Sequence, residues 1–126
     1  MEDTLITFKT AKLAKEKGFI IKTKYSWYVP DNSKPIIEKH KPDGLYYLSC
    51  PTQSLLAKWL REKHGILTNP IFSYNDGKWV IHIESIKLAK IDDNSVLISG
   101  IDFQPSLFNT YEEALEIGLQ EALKLI

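Results

Sequence analysis

Ile71-Phe72-Ser73-Tyr74-Asn75-Asp76-Gly77-Lys78-Trp79-Val80-Ile81-His82-Ile83 reads as two strands joined by a turn, and it decides the fold. Asp76-Gly77 tolerates the positive φ angles that a tight hairpin needs. After the turn, Trp79, Ile81 and Ile83 alternate with Lys78, Val80, His82 and Glu84. Successive strand residues point to opposite faces, so the first set is expected in the core and the second mostly in solvent. Asp92-Asp93-Asn94 marks a second turn, and Val96 to Phe103 reads as a further strand. The region 66–103 therefore predicts a three-stranded antiparallel meander.

Outside the meander the period changes to that of a helix. Thr110 and Glu113 form the Ser/Thr-x-x-Glu pattern in which each side chain bonds the other's free backbone N–H. From there Tyr111, Ala114, Leu115, Gly118, Leu119, Ala122, Leu123 and Ile126 recur every three or four residues. Glu112, Glu113 and Glu116 fall where the helix dipole favours negative charge, and Lys124 lies near the other end. On the other side of the meander, Thr52 to His64 predicts a helix introduced by Pro51 and ended by Gly65. Leu55, Leu56, Trp59 and Leu60 form its narrow apolar stripe, with Lys58, Arg61, Glu62 and Lys63 outside it. A further helix is expected over Thr7 to Lys17. Thr7 caps its start, Gly18 suits the left-handed residue at its end, and Phe19 folds back on Leu13 or Ala14.

The segment 19–50 is aromatic-rich at Lys24 to Val29 and at Gly44 to Ser49, with a polar stretch containing Pro30, Pro35 and Pro42 between them. A long-looped hairpin is expected there. The whole order is α-β-β-α-β-β-β-α, an α+β domain with three helices on one face of an antiparallel sheet.

One domain covering 1–126 is the expectation for 126 residues, and such a chain buries roughly two-thirds of its unfolded surface. Hydrophobic residues at 44% and charged residues at 25% match an ordinary globular protein, so disorder throughout is not expected. Cys50 is the only cysteine, so no intrachain disulfide forms. The N-terminal stretch MEDTLITFKTAKLAKEKGF lacks the apolar centre of a signal peptide, and no aliphatic run approaches the ~20 residues that span a bilayer. A cytoplasmic location in a host cell, with no membrane contact, is expected.

The net charge is zero but unevenly spread. From Lys9 to Lys41 nine lysines stand against Glu16, Asp31 and Glu38. From Asp92 to Ile126 seven acidic residues stand against Lys124. Two differently charged solvated faces account for this, and so does a molecule that docks head-to-tail or offers its basic end to an anion.

Sites of chemistry are sparse. The chain has no Gly-x-Gly-x-x-Gly, no Gly-Lys-Ser/Thr loop, no Gly-x-Ser-x-Gly elbow, no Cys-x-x-Cys and no His-Glu-x-x-His. Cys50 with His64 or His40 has the residue types of a thiol nucleophile and its base, but Cys50 sits at a strand-to-helix junction where small apolar residues fit. His82 and Glu84 share a strand face, and Asp92, Asp93 and Asp102 are oxygen donors, yet neither set defines a metal site. No catalytic residue, metal or cofactor is assigned.

The binding candidates are two groups. Lys58, Arg61, Lys63 and His64 form a basic edge on the second helix. Trp27 and Tyr28, with Tyr46 and Tyr47, are aromatic surfaces on which nucleic-acid bases could stack within the lysine-rich first third. The α-β-β-β-α order from Thr52 onward matches double-stranded-RNA-binding domains, but Tyr111-Glu112-Glu113 stands where those domains carry phosphate-gripping lysines.

Pro51-Thr52-Gln53-Ser54 running into LLAKWLREKHGI, the stretch TYEEALEIGLQEALKLI at 110–126, and the opening MEDTLITF followed by AKLAKEKGF resemble a group of short uncharacterised proteins. These are encoded by Bacteroides-type gut bacteria and especially by their phages and prophages. The resemblance implies a phage or mobile-element accessory protein that acts stoichiometrically, and it brings no catalytic residues with it. The expected function is non-enzymatic binding of a host protein, or sequestration of a small host ligand. A nucleic-acid-binding accessory protein is the alternative, and a small enzyme is the third reading. A free edge strand and opposite charge at the two ends also lead to the expectation of a homo-oligomer.

Overall fold

The computed structural model describes residues 4–37, 47–85, 99–102 and 107–126, with backbone alone at 31–33 and 99–102. The chain is α+β, and the described residues form three helices and antiparallel strands in the expected order, with one further strand in the first half. The strands divide into two three-stranded sheets. Contacts gather the chain into two compact units, Met1–Leu55 and Leu56–Ile126.

In the first unit, α1 spans Phe8–Glu16. Thr7 is its N-cap, its hydroxyl accepting from the Thr10 N–H at 3.3 Å. Gly18 follows with φ +97°, and the Phe19 N–H reaches back to the Ala14 carbonyl at 2.9 Å. That closure satisfies carbonyls the helix leaves unpaired, and buried Phe19 covers the end.

Strand β1 (Tyr25–Tyr28) is the centre of the first sheet, between β2 (Asp31–Ile37) and β3 (Tyr47–Cys50). The expected long hairpin is the β1–β3 pairing, in register from Tyr25 opposite Cys50 to Tyr28 opposite Tyr47. Residues 44–46 of that expected hairpin lie outside the described residues. The unexpected element is β2, which turns back at Val29-Pro30 and pairs with the other side of β1 through an irregularity between Ser26 and Tyr28. Its Pro35 and its polar start read as loop. An edge strand tolerates proline because the missing N–H faces away from the ladder.

Helix α2 runs Gln53–His64, and the boundary between the units falls within it. Leu56, Trp59 and Leu60 are buried as the apolar stripe requires, and Lys58, Arg61, Glu62 and Lys63 are exposed. Gly65, at φ +64°, ends it.

The second unit holds the expected meander: β4 (Ile66–Ser73), β5 (Lys78–Ser85) and β6 (Ser99–Asp102), in that spatial order. The remainder of the expected third strand, and the Asp92-Asp93-Asn94 turn, lie outside the described residues. The first hairpin is built differently from the tight turn expected. Tyr74 to Gly77 form a four-residue loop in which the Gly77 N–H bonds the Ser73 carbonyl at 2.9 Å. Gly77 alone takes a positive φ there, +62°, while Asp76 accepts from the Ser73 hydroxyl at 2.9 Å.

Helix α3, Tyr111–Lys124, packs on β4 and β5. Ala114, Leu115, Gly118, Leu119, Ala122 and Leu123 are buried, while Tyr111 and Ile126 at the two ends are exposed. The N-cap differs from expectation in one bond. Thr110 accepts from the Glu113 N–H at 3.1 Å, but Glu113 reaches one residue further back, to the Asn109 N–H at 3.2 Å. Ile81 and Ile83 of β5 are buried as expected. Trp79 is only half-buried, because it lies at the strand end where the hairpin opens. Among the described residues no helix is long and apolar enough to cross a membrane.

Candidate functional site

The first unit holds a cleft of about 470 Å³ lined by Leu5, Lys22, Thr23, Lys24, Tyr25, Cys50, Pro51, Thr52 and Leu55. Three backbone stretches build it. The chain near Leu5 runs antiparallel to the junction between β3 and α2: the Ile6 N–H bonds the Pro51 carbonyl at 3.1 Å, and the Gln53 N–H bonds the Thr4 carbonyl at 2.7 Å. The stretch before β1 is fastened to β3 by side chains. Ser49 Oγ donates to the Ile21 carbonyl at 2.7 Å, and Thr23 Oγ1 accepts from the Cys50 N–H at 3.0 Å. The same Thr23 hydroxyl donates to the Tyr25 carbonyl at 2.6 Å.

Lys22 and Lys24, both exposed, form part of this lining, and Lys24 Nζ stands 5.5 Å from the Tyr25 ring centroid. The start of α2 lies in the same lining, with Thr52 Oγ1 accepting from the Leu55 N–H at 3.2 Å. A helix start carries partial positive charge, which adds to that of the lysines. Leu5, Pro51 and Leu55 give apolar surface. Among the described residues that line the cleft there is neither a carboxylate nor an imidazole. The groups present can attract an anion, donate hydrogen bonds and cover an apolar body.

Cys50 lines the cleft but is 1% exposed, its thiol directed at the Ile6 carbonyl with Sγ 3.6 Å from the oxygen. It is a small core residue at a junction, as its position suggested.

The sequence-based candidates fall elsewhere. Trp27 is 8% exposed, packs edge-on against Phe8 at 5.8 Å, and donates its indole N–H to the Ile6 carbonyl at 3.3 Å. It belongs to the core and is not an open stacking surface. Burial follows from its place in the central strand of a sheet covered by α1. Tyr28 is half-buried, with its ring tilted against that of Tyr47 at 5.2 Å. Tyr46 and His40 lie outside the described residues. Lys58, Arg61 and Lys63 are exposed on α2, while His64 is half-buried with its ring edge-on to Trp59 at 4.7 Å. These four belong to the second unit, and Trp27 and Tyr28 belong to the first.

His82 Nε2 and Glu84 Oε1 form a pair at 3.0 Å on the outer face of β5. Among the described residues no group of three or more His, Cys, Asp or Glu converges as a metal site would require. Asp92 and Asp93 lie outside those residues.

Sequence reading passed over the cleft because its polar residues carry no motif. Lys22-Thr23-Lys24 looks like any solvated stretch until Thr23 is seen bonded to Cys50. The one usable signal was the alternation of Lys22 and Lys24 about a threonine just before an aromatic strand. Comparison with protein-family models, with curated proteins and with solved structures found no match.

Proposed function

We propose that this chain is a non-enzymatic binding protein that captures a small anionic ligand in the cleft of its first unit. The observation that carries the reading is the pairing of Lys22 and Lys24 with the start of α2 around a cleft of about 470 Å³. Small-molecule sites typically enclose about 300–1,000 Å³ and combine apolar surface with a few converging polar groups. Here the apolar part comes from Leu5, Pro51 and Leu55, and the charge is of one sign. A stoichiometric accessory role for a phage or prophage protein, trapping a host ligand, suits a site equipped to hold rather than to transform. The nucleic-acid reading is weakened by the burial of Trp27, its main stacking residue.

The test is an NMR titration with inorganic phosphate, citrate and adenosine monophosphate. At least one of these is expected to give saturable shifts at Lys22–Tyr25 and Cys50–Leu55, weakening as salt screens the lysines. Lys22→Glu with Lys24→Glu should abolish the shifts, and Lys58→Glu with Arg61→Glu should leave them. Shifts that are absent, or that follow lysines over the whole chain, would overturn the reading.

A further inference from the structure

Four aromatic rings of the second unit stand in consecutive edge-to-face contact. Tyr74 meets Phe72 at 5.2 Å, Phe72 meets Trp79 at 5.2 Å, and Trp79 meets Tyr111 at 5.4 Å. Local chemistry explains the row. Phe72 and Trp79 are register partners on one face of the hairpin, and Tyr74 opens its loop. Backbone bonds in both directions between Trp79 and Phe108, at 2.8 Å each, bring the start of α3 alongside. The row is not core: Tyr74 is 90% exposed, Tyr111 44% and Phe72 37%. Aromatic surface left in water contributes nothing to folding stability, and a contiguous exposed patch of rings marks an interaction site.

Charge around the row is negative. Asp76 lies two residues beyond Tyr74, and Glu112 and Glu113 follow Tyr111 directly. Lys78, next to Trp79 in the chain, bonds the neutral Asn109 side chain and keeps its charge, so one ammonium stands against those three carboxylates. The interplanar angles are 81°, 71° and 89°, so the strip offers ring faces and edges in turn and not one flat platform. A planar base needs a parallel open face, and its phosphates would meet carboxylates. A guanidinium or ammonium needs only one ring face with a carboxylate beside it.

We propose that the strip Tyr74–Phe72–Trp79–Tyr111 docks an arginine- or lysine-bearing segment of a partner protein. This site lies in the second unit and is independent of the anion cleft, so either reading can fail without the other.

The test follows backbone and indole N–H resonances of the full chain as an acetylated tetra-arginine peptide is added, with tetra-glutamate as the opposite-charge control. Saturable shifts are expected at the Trp79 indole and around residues 72–79 and 111–113, and none with tetra-glutamate. Tyr74→Ala combined with Tyr111→Ala removes two exposed rings, so the fold is retained while affinity is expected to fall at least about tenfold. A circular dichroism melt confirms the fold of that variant. Equal binding by wild type and the double variant would mean that carboxylates alone attract the peptide, and would overturn the proposal. The absence of saturable shifts at millimolar peptide would also overturn it. So would concentration-dependent movement of the same resonances without peptide, which would assign the strip to a second copy of this chain.

Discussion

Gly118 of α3 lies so close to Ile81 of β5 that a Cβ built on the glycine would stand 2.5 Å from Ile81 Cγ1 and 2.6 Å from its Cδ1. The helix therefore rests on the sheet at a distance set by the absent side chain. Glycine inside a helix costs about 1 kcal/mol relative to alanine, so Gly118→Ala would stabilise a free helix. Here the methyl overpacks a residue that is 2% exposed and has nowhere to move, at about 1–3 kcal/mol. The expected net result is a loss of about 1 kcal/mol in equilibrium urea unfolding. In an Ile81→Ala background the clash is gone, and the same change should become stabilising. A gain in the wild-type background would show that α3 is free to move away from β5.

Gly18 presents the opposite situation. Nothing lies within 4 Å of a Cβ added there, so space is not the constraint, but its φ is +97°. Gly18→Ala should cost about 1 kcal/mol through backbone strain alone. Gly18→Asn should cost less, because asparagine visits left-handed conformations more readily. Equal losses for the two would mean that the α1 cap rearranges to remove the strain.

The elements that could be read from sequence are those whose reasons are local. Thr7, Gly18, Thr110 and Gly65 each act within a few residues, and the helix ends they mark match expectation to within a residue, while the last helix stops at Lys124, two residues before the expected Ile126. The β4–β5 hairpin was legible for the same reason, since alternation and Asp76-Gly77 lie in one short window. Strand β2 was not legible, because what makes Asp31–Ile37 a strand is the open side of β1 rather than its own polar, proline-containing sequence. The cleft was hidden for a related reason. Lys22 and Lys24 become a site only when Thr23 is tied to Cys50, 27 positions along the chain, and no local pattern encodes that. Trp27 and Trp79 exchanged their expected roles. One is buried in a central strand against Phe8 of α1, and the other is left half-buried by its place at the end of a strand.

Cys50 tests the packing of the cleft floor. Its thiol belongs to the lining yet is 1% exposed. A thiol-specific reagent should therefore label native protein only through local opening, far more slowly than in denaturant. An anion that occupies the cleft should slow labelling further, since it must leave before the reagent enters. Labelling of the native protein at the denatured rate would show that the β3–α2 junction is open in solution.

Thr23 gives the sharpest test of how the cleft is held. Its hydroxyl accepts from the Cys50 N–H at 3.0 Å and donates to the Tyr25 carbonyl at 2.6 Å, so one oxygen fixes the backbone between the two lysines. Thr23→Val keeps the shape and removes both bonds, at about 1–3 kcal/mol. Thr23→Ser keeps both bonds and loses one methyl. Valine is therefore expected to lower stability and to weaken anion binding beyond the stability loss, since Lys22 and Lys24 lose their fixed spacing, while serine restores both. Unfolding by urea and titration with the anion that binds wild type, run side by side on the two variants, separate the effects. Full anion affinity in Thr23→Val would mean that the lysines act as free surface charges, and the cleft would then have no part in positioning them.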